Sequence, residues 1–124
     1  METRPSFTIV GRLNSITHAV NGITLLLKSQ HNAWVHAAAT FFVVGMGLAL
    51  DISASEWCWV VITVVAVFTA EALNTAFELL CDVASPEFHP LVKNAKDVAA
   101  GAVLISALGA VIIGCIIFIP HIAG

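Results

Sequence analysis

Long stretches without charged side chains are the sequence feature that most limits how this chain can fold. No Lys, Arg, Asp or Glu occurs between Lys28 and Asp51, and none occurs after Asp97. A helix that crosses the roughly 30 Å hydrocarbon core of a bilayer needs about 20 mostly apolar residues, and both stretches are long enough. A third apolar stretch lies between them and contains only two acids, Glu71 and Glu78. The three membrane-spanning helices that we predict are residues 33–50, 57–80 and 91–119.

The composition supports lipid as the environment of these helices. Hydrophobic residues make up 59% of the 124 residues and charged residues only 10%, against roughly 25% charged in ordinary soluble domains. A chain this small cannot bury so much apolar surface in a core of its own. The net charge of −3 indicates no basic surface of the kind that binds nucleic acid. We therefore expect a single all-α integral membrane domain, residues 1–124, with no nucleic-acid partner.

The segment before the first predicted span, residues 6–28, has the pattern of an amphipathic helix. Its apolar residues recur at spacings of three and four, and the facing positions carry polar residues such as Arg12 and Lys28. The segment is too polar to span a bilayer, so we predict a helix that lies on the membrane surface. Packing against other helices of the same protein is the alternative. The apolar positions are Ile9, Leu13, Ile16, Val20, Ile23 and Leu27.

The positively charged residues indicate how the helices are oriented. With three spans, the N-terminal helix and the loop of residues 82–97 fall on one side of the membrane, and the turn of residues 51–56 falls on the other. All Lys and Arg side chains then lie on the first side, which the positive-inside rule assigns to the cytoplasm. We therefore expect a multi-pass protein of the inner (plasma) membrane. The cations are Arg4, Arg12, Lys28, Lys93 and Lys96.

Four polar residues recur along the second predicted span and just after it, namely Glu71, Asn74, Glu78 and Asp82. Their offsets of three, seven and eleven residues return to nearly the same face of a helix at about 100° per residue. A carboxylate inside a membrane helix costs about 2.5–3.5 kcal/mol on insertion scales. Acids on one such face are therefore expected to have charged partners, to bind a metal ion or to take part in a reaction.

Clustered carboxylates at a cytosolic interface suit Mg²⁺, which prefers oxygen ligands and keeps waters and phosphates in its shell. Lys96 is placed to neutralise phosphate charge, and the deeper Glu71 is placed to act as a general base toward an alcohol in the membrane. This combination predicts phosphoryl transfer to a lipid hydroxyl. Two other interpretations stay open. The acids form a proton relay or an ion pathway in a conducting subunit, or Lys93 or Lys96 makes structural ion pairs with Glu78 or Asp82.

The turns and the histidines support narrower predictions. Ser53 and Glu56 have the spacing of a capping box for the second span, and Pro90 suits the first turn of the third helix. His31 and His36 are five residues apart, which is off one helical face, and no acid is near them in sequence. We therefore predict no metal site at this pair. The residues expected to be interfacial or capping are His18, His89 and His121.

The second and third predicted spans carry two extended motifs. Residues Glu71-Ala72-Leu73-Asn74-Thr75-Ala76-Phe77-Glu78 have the pattern E-x-x-N-[ST]-A-x-E. The remaining motif residues are Asp82, His89-Pro90-Leu91 and Ala95-Lys96-Asp97-Val98-Ala99-Ala100-Gly101-Ala102-Val103-Leu104, with weaker similarity at His18-Ala19, Gly22-Ile23, Asn32 and His36. Together they resemble the prokaryotic diacylglycerol kinase family of small three-span membrane kinases. Within that family the sequence is most similar to the undecaprenol kinase branch.

The resemblance implies a homotrimer of three-span protomers, with active sites shared between protomers at the cytosolic interface. It also implies that Mg-ATP donates its γ-phosphoryl group to a lipid alcohol, either undecaprenol or diacylglycerol. The residues that it implies are the general base Glu71, the orienting amide Asn74, the metal ligand Glu78, the nucleotide contacts Lys96 and Asp97, and the supporting acid Asp82 near the nucleotide.

One position departs from the family pattern. The family has an acid before the first span, in a pattern like E-x-N-F-R, and that acid helps to hold the metal. Here the ungapped match reads Gln30-His31-Asn32-Ala33-Trp34, so Gln30 is expected to be an uncharged metal ligand. Weaker metal binding, a contribution from His31, and a weakened or inactive enzyme are the alternatives that follow. The nearest candidate for the family's basic residue on the surface helix is Arg12, one position off register.

Overall fold

A computed structural model describes residues 6–124, which form four α-helices. No strand occurs among these residues. Arg4, one of the cations used to predict the orientation, lies outside them. The all-α fold, with one N-terminal helix and three long apolar helices, is as predicted. The helices are α1 (Ile9–Ser29), α2 (His31–Ala49), α3 (Ala54–Ala84) and α4 (Pro90–Ala123).

Helices α2, α3 and α4 are long and apolar enough to cross a membrane. The 31 residues of α3 extend about 46 Å and the 34 residues of α4 extend about 51 Å, at a rise of about 1.5 Å per residue. Both lengths exceed a hydrocarbon core of roughly 30 Å, so the helix ends project beyond it. Asp82 in the last turn of α3 and Lys96 in the second turn of α4 lie in such projecting ends.

The helices run further than the spans predicted from the sequence. Helix α3 begins at Ala54 rather than at residue 57 and continues to Ala84 rather than ending at residue 80. Helix α4 runs through Pro120, where we expected the third span to end, and reaches Ala123. Proline keeps a helical φ, but it removes the hydrogen bond to the carbonyl of residue 116 and its ring crowds that carbonyl, which usually kinks or ends a helix. Here Pro120 lies in the last turn of α4, and only three helical residues follow it.

Helix α1 packs lightly on the rest of the chain. Leu26 is its one buried residue. Five of its six predicted apolar positions are more than half exposed, from 54% for Val20 to 75% for Ile9. A single extended residue, Gln30 (φ −118°, ψ 117°), separates α1 from α2. Helix α1 is therefore an amphipathic element joined to the first span through one residue.

A Schellman motif closes the turn between α2 and α3. The N–H of Ile52 donates to the carbonyl oxygen of Gly47 at 3.2 Å, and Asp51 before it has φ 51°. Aspartate tolerates this left-handed conformation better than most residues with a side chain. The predicted capping box follows, because Ser53 Oγ accepts from the N–H of Glu56 at 3.2 Å and the N–H of Ser53 donates to Glu56 Oε1 at 3.3 Å. This tight turn makes α2 and α3 antiparallel neighbours.

Helices α3 and α4 run antiparallel and contact each other near both ends. At one end His121 Nε2 lies 2.8 Å from Glu56 Oε2, and at the other end Lys96 Nζ lies 2.6 Å from Asp82 Oδ1. These contacts show the register of α4 against α3. A buried apolar cluster beside the first of these ends consists of Ile52, Val60, Ile117 and Phe118.

The start of α4 follows the sequence prediction. The side chain of His89 caps the helix, since its Nδ1 accepts from the N–H of Leu91 at 3.1 Å. Pro90 occupies the first helical position, where its missing N–H leaves no hydrogen bond unmade. The capping role of His89 and the helix-starting role of Pro90 are both confirmed.

Many large apolar side chains are exposed on the surface of the single chain. Phe41 of α2 is 85% exposed and Val83 of α3 is 83% exposed. A protein dissolved in water rarely exposes so much contiguous apolar surface. This surface agrees with helices that are surrounded by lipid or by other copies of the chain.

Gly47 on α2 allows the ring of Trp57 on α3 to approach closely, which predicts a difference between two glycine substitutions. A Cβ atom at Gly47 would lie 2.7 Å from Trp57 Cη2 and 3.1 Å from Ile52 Cδ1, whereas a Cβ atom at Gly45 would meet no atom within 4 Å. We expect Gly47→Ala to destabilise the lipid-reconstituted protein by about 1–3 kcal/mol, because overpacking displaces the ring. Thermal unfolding measures the effect. Gly45→Ala is the matched control, and an equal loss in both variants would contradict this packing.

Candidate active site

Glu71 lies within α3 and is fully buried. Its exposed fraction is 0%, and both carboxylate oxygens lack a hydrogen-bond partner among residues 6–124. One titratable group contacts it, the imidazole of His36 on α2, whose Nε2 lies 3.3 Å from Glu71 Oε2. This contact does not have the alignment of a hydrogen bond. Because an unbonded carboxylate is very unfavourable in an apolar interior, the side chain of Glu71 needs a ligand or a further partner.

Asn74 and Glu78 continue from Glu71 toward the C-terminal end of α3. The Nδ2 of Asn74 donates to Glu78 Oε1 at 3.4 Å. Asn74 is 7% exposed and its Oδ1 has no hydrogen-bond partner within the described chain, whereas Glu78 is half-buried. Asn74 therefore offers an amide oxygen about one turn from Glu71, and Glu78 offers a carboxylate about two turns from it.

A cleft of about 350 Å³, which we call the polar cleft, opens between α2, α3 and α4 beside these residues. The wall from α2 and α3 is mainly polar, and the wall from α4 is apolar. The polar lining residues are Asn32, His36, Asn74 and Glu78, and the lining residues of α4 are Ala100, Val103, Leu104 and Ala107. A volume of this size suits a small-molecule group, since such sites measure about 300–1,000 Å³.

A second cleft of about 410 Å³, the loop cleft, lies where the loop between α3 and α4 meets the two helices. Its charged lining residues are Asp82, Glu87, Lys93 and Lys96. Lys96 Nζ pairs with Asp82 Oδ1 at 2.6 Å, and Lys93 Nζ pairs with Asp97 Oδ2 at 2.7 Å. The side chains of both pairs are 37–64% exposed, so the pairs add little to stability and exchange readily for other ligands.

The predicted stripe of acids on α3 divides between the two clefts. Asn74 and Glu78 line the polar cleft, and Glu71 reaches it through its contact with His36. Asp82 instead lines the loop cleft and pairs with Lys96. This pair is one of the structural ion pairs that the sequence left open.

Neither Arg12 nor Gln30 lines either cleft in the single chain. Arg12 is exposed on α1, with its guanidinium carbon 5.5 Å from the centre of the Phe7 ring. Gln30 is half-buried at the junction of α1 and α2, and its side chain makes no capping hydrogen bond to α2. The contact of Arg12 with a nucleotide and the role of Gln30 as a metal ligand therefore stay predictions.

The donor atoms at the polar cleft fit a magnesium ion that arrives with phosphate groups. Among residues 6–124, no three His, Cys, Asp or Glu side chains are grouped so that they could hold a metal ion. The cleft does present oxygen donors, the carboxylate of Glu78 and the unbonded Oδ1 of Asn74. Mg²⁺ is typically bound through one or two carboxylates together with substrate phosphates, and a full protein cage is not required.

His36 is the residue whose role in the site the sequence analysis missed, although its position belongs to the weaker part of the family pattern. Its spacing from His31 gave no metal pattern, and Glu71 is 35 residues away in the sequence. A usable signal was nevertheless present. A buried carboxylate needs a partner, and His36 is the one titratable side chain in the first predicted span, residues 33–50.

Comparison with known proteins supports one family. Residues 17–118 match the family described as prokaryotic diacylglycerol kinase. An undecaprenol kinase of Bacillus subtilis is 39% identical over 108 residues, which cover 87% of this chain and 88% of that protein. A diacylglycerol kinase of Synechocystis is 34% identical over 109 residues (87% of this chain, 62% of that protein). A diacylglycerol kinase of Escherichia coli K12 is 33% identical over 101 residues (76% and 83%). As the sequence motifs predicted, the chain belongs to the prokaryotic diacylglycerol kinase family.

Proposed function

We propose that this chain is a kinase that transfers the γ-phosphoryl group of ATP to the hydroxyl group of a membrane lipid, either undecaprenol or diacylglycerol. The observation that carries the proposal is the fully buried Glu71, whose carboxylate has no hydrogen bond among residues 6–124. It contacts His36, which lines a cleft together with Asn74 and Glu78. A base held in the membrane is what a reaction on a lipid hydroxyl requires. The relatives named undecaprenol kinase and diacylglycerol kinase support the same acceptor classes.

In this mechanism Glu71 is the general base. The hydroxyl proton of the lipid passes to the carboxylate of Glu71 while the lipid oxygen forms a bond to the γ-phosphorus of ATP. The bond between the γ-phosphorus and its bridging oxygen breaks, and ADP leaves. Asn74, between Glu71 and Glu78, orients the reacting groups through its amide.

Glu78 and the amide oxygen of Asn74 would hold Mg²⁺ at the polar cleft, and Gln30 is the further ligand that we propose from the family pattern. When bound, the ion neutralises charge on the phosphate groups during transfer. The protein's own contribution is to place one carboxylate and one amide oxygen in a half-buried wall, where their interaction with a cation is stronger than in water.

The loop cleft is the proposed site of the nucleotide. Lys96 and Lys93 face it, and each lysine is held only by an exposed ion pair. A phosphate group can displace Asp82 from Lys96 at little cost. Asp97 and Arg12 complete the proposed set of nucleotide contacts, Arg12 from the surface helix.

A homotrimer with shared active sites accounts for what the single chain lacks. The oxygens of Glu71 have no hydrogen bond within the described chain, and neither Arg12 nor Gln30 lines a cleft. Neighbouring protomers would supply the missing groups and would cover the exposed apolar surface. We place α1 on the membrane surface, the clefts on the cytoplasmic side and the whole domain, residues 1–124, in the inner membrane, because Lys93 and Lys96 project at that end.

The alternative of an ion-conducting subunit is not favoured by the groove that continues beyond His36. This groove of about 380 Å³ between α2, α3 and α4 is lined by apolar side chains except for His36, Thr40 and Thr63. A proton or ion pathway needs a chain of ionisable or water-filled positions across the membrane. In this groove the only ionisable side chain among the lining residues is that of His36.

The direct test is phosphoryl transfer by the full chain reconstituted in lipid vesicles. We expect labelled phosphate to pass from ATP to undecaprenol, to diacylglycerol, or to both when each is supplied separately, and the panel identifies the preferred acceptor. A folded protein that labels neither lipid would contradict the proposed function. Vesicles that instead leak protons, with the leak lost in Glu71→Gln, would support the conducting alternative.

The division of roles on α3 predicts different kinetic effects for two acids. Glu71→Gln should lower kcat by about 10²–10⁴-fold with little change in KM for ATP, because it removes the proton acceptor and no nucleotide contact. Glu78→Gln should raise the Mg²⁺ concentration needed for half-maximal rate by about 10- to 100-fold. Asp51→Asn, at the other end of the bundle, is the control and should match the wild type. Unchanged kinetics in both site variants would show that the roles are assigned wrongly.

Gln30→Glu is a gain-of-function test of the proposed metal site. A carboxylate at this position would restore the charge of the family's usual acid and should lower the Mg²⁺ requirement on the order of tenfold. Ser29→Glu adds the same charge at an exposed neighbouring position and should leave the requirement unchanged. A titration of rate against Mg²⁺ concentration compares the two variants. Equal effects would mean that the added negative charge acts at a distance and that position 30 is not a metal ligand.

A further inference from the structure

The side chain of His36 connects the buried Glu71 with the polar cleft. The His36 side chain is 17% exposed, whereas the Glu71 side chain is 1% exposed, and the two meet at 3.3 Å between Nε2 and Oε2. His36 lines the cleft together with Asn74 and Glu78. The imidazole is therefore the group through which the carboxylate of Glu71 borders the cleft.

The imidazole ring has a defined place between α2 and α3. Phe68, three residues before Glu71 on α3, packs against it edge to face, with ring centroids 6.2 Å apart and an interplanar angle of 73°. Two titratable groups of α3 lie near His36. Glu71 contacts its ring, and Glu78 lines the same cleft. The residues of α4 that line the cleft beside His36 are Ala100, Val103, Leu104 and Ala107, none of which titrates.

We propose that His36 is a positioning residue for the general base, in which the Nε2–H group donates a hydrogen bond to Glu71 Oε2. That bond would fix the carboxylate and leave Oε1 free to accept the proton of the lipid hydroxyl. The contact already has nearly the length of a hydrogen bond, and catalytic hydrogen bonds are commonly misaligned before substrate binds. The inference rests on the proposed lipid kinase function, since it assigns His36 to the same site.

Kinetics of three His36 variants test the role of Nε2. We expect His36→Ala to lower kcat by about 10- to 100-fold, less than Glu71→Gln does, with KM for ATP unchanged. His36→Gln places an N–H donor near the position of Nε2 and should recover most of the rate. His36→Asn places its donor near Nδ1 and should not. Full activity in His36→Ala, or equal rates in His36→Gln and His36→Asn, would overturn the proposal.

A double variant separates positioning from a general structural role. If His36 acts through Glu71, the variant with both His36→Ala and Glu71→Gln should be no slower than Glu71→Gln alone, whereas independent effects would multiply. Thr40→Val is the matched control on α2. Thr40 lies one turn from His36 and its hydroxyl donates only to the carbonyl oxygen of His36, at 2.7 Å. Multiplying losses, or an equal loss in Thr40→Val, would count against the proposal.

An NMR measurement on the protein in the absence of substrate tests the contact between His36 and Glu71 separately from kinase activity. In ¹⁵N NMR spectra of histidine-labelled full-length protein in lipid, we expect a proton on Nε2 of His36, and a changed Nε2 signal in Glu71→Gln. An unchanged His36 signal in that variant would overturn the contact, even if the protein is an active kinase. A changed signal in a protein that phosphorylates no lipid would instead refute the proposed function and leave the contact standing.

Discussion

A carboxylate held inside the membrane is the constraint on which the rest of this structure depends. Glu71 is shielded because α3 contacts each of the other three helices. The polar residues that follow it along α3 are increasingly exposed, from the buried Asn74 to the half-buried Glu78 and the exposed Asp82. One helix therefore carries acids from an apolar interior to an aqueous surface. Reactants from lipid and from water can meet along it.

The fold could be predicted in large part because its determinants are local in the sequence. Charge-free stretches indicate the spans, and the cap at Ser53 and the proline at position 90 mark where α3 and α4 begin. The far ends of the helices were harder to predict. Apolar and polar residues both continue a helix once it has started, so α3 extends past the predicted span to Ala84. Helix α4 continues for one more turn from Pro120 to Ala123, which the sequence pattern did not indicate.

The site could be predicted only as far as one helix determines it. Helical periodicity places Glu71, Asn74 and Glu78 together, but it says nothing about what faces them from another helix. The contact with His36 depends on the register of α2 against α3. The pairing of Asp82 with Lys96 was one of several ion pairs that the sequence suggested, and the choice among them depends on the loop before α4. The positions of Arg12 and Gln30 depend on how α1 meets its surroundings, which no periodicity in this chain encodes.

The two polar contacts that attach α4 to α3 differ in their exposure to solvent, so they differ in how easily they break. The Glu56–His121 attachment is 27–30% exposed and adjoins the buried apolar cluster, whereas the Asp82–Lys96 attachment is 37–64% exposed. The second pair is therefore the one that an anion can break at less cost. Because the apolar wall of the polar cleft, residues 100–107, lies between the two attachments, α4 would stay attached to α3 beyond that wall when the Asp82–Lys96 pair is broken.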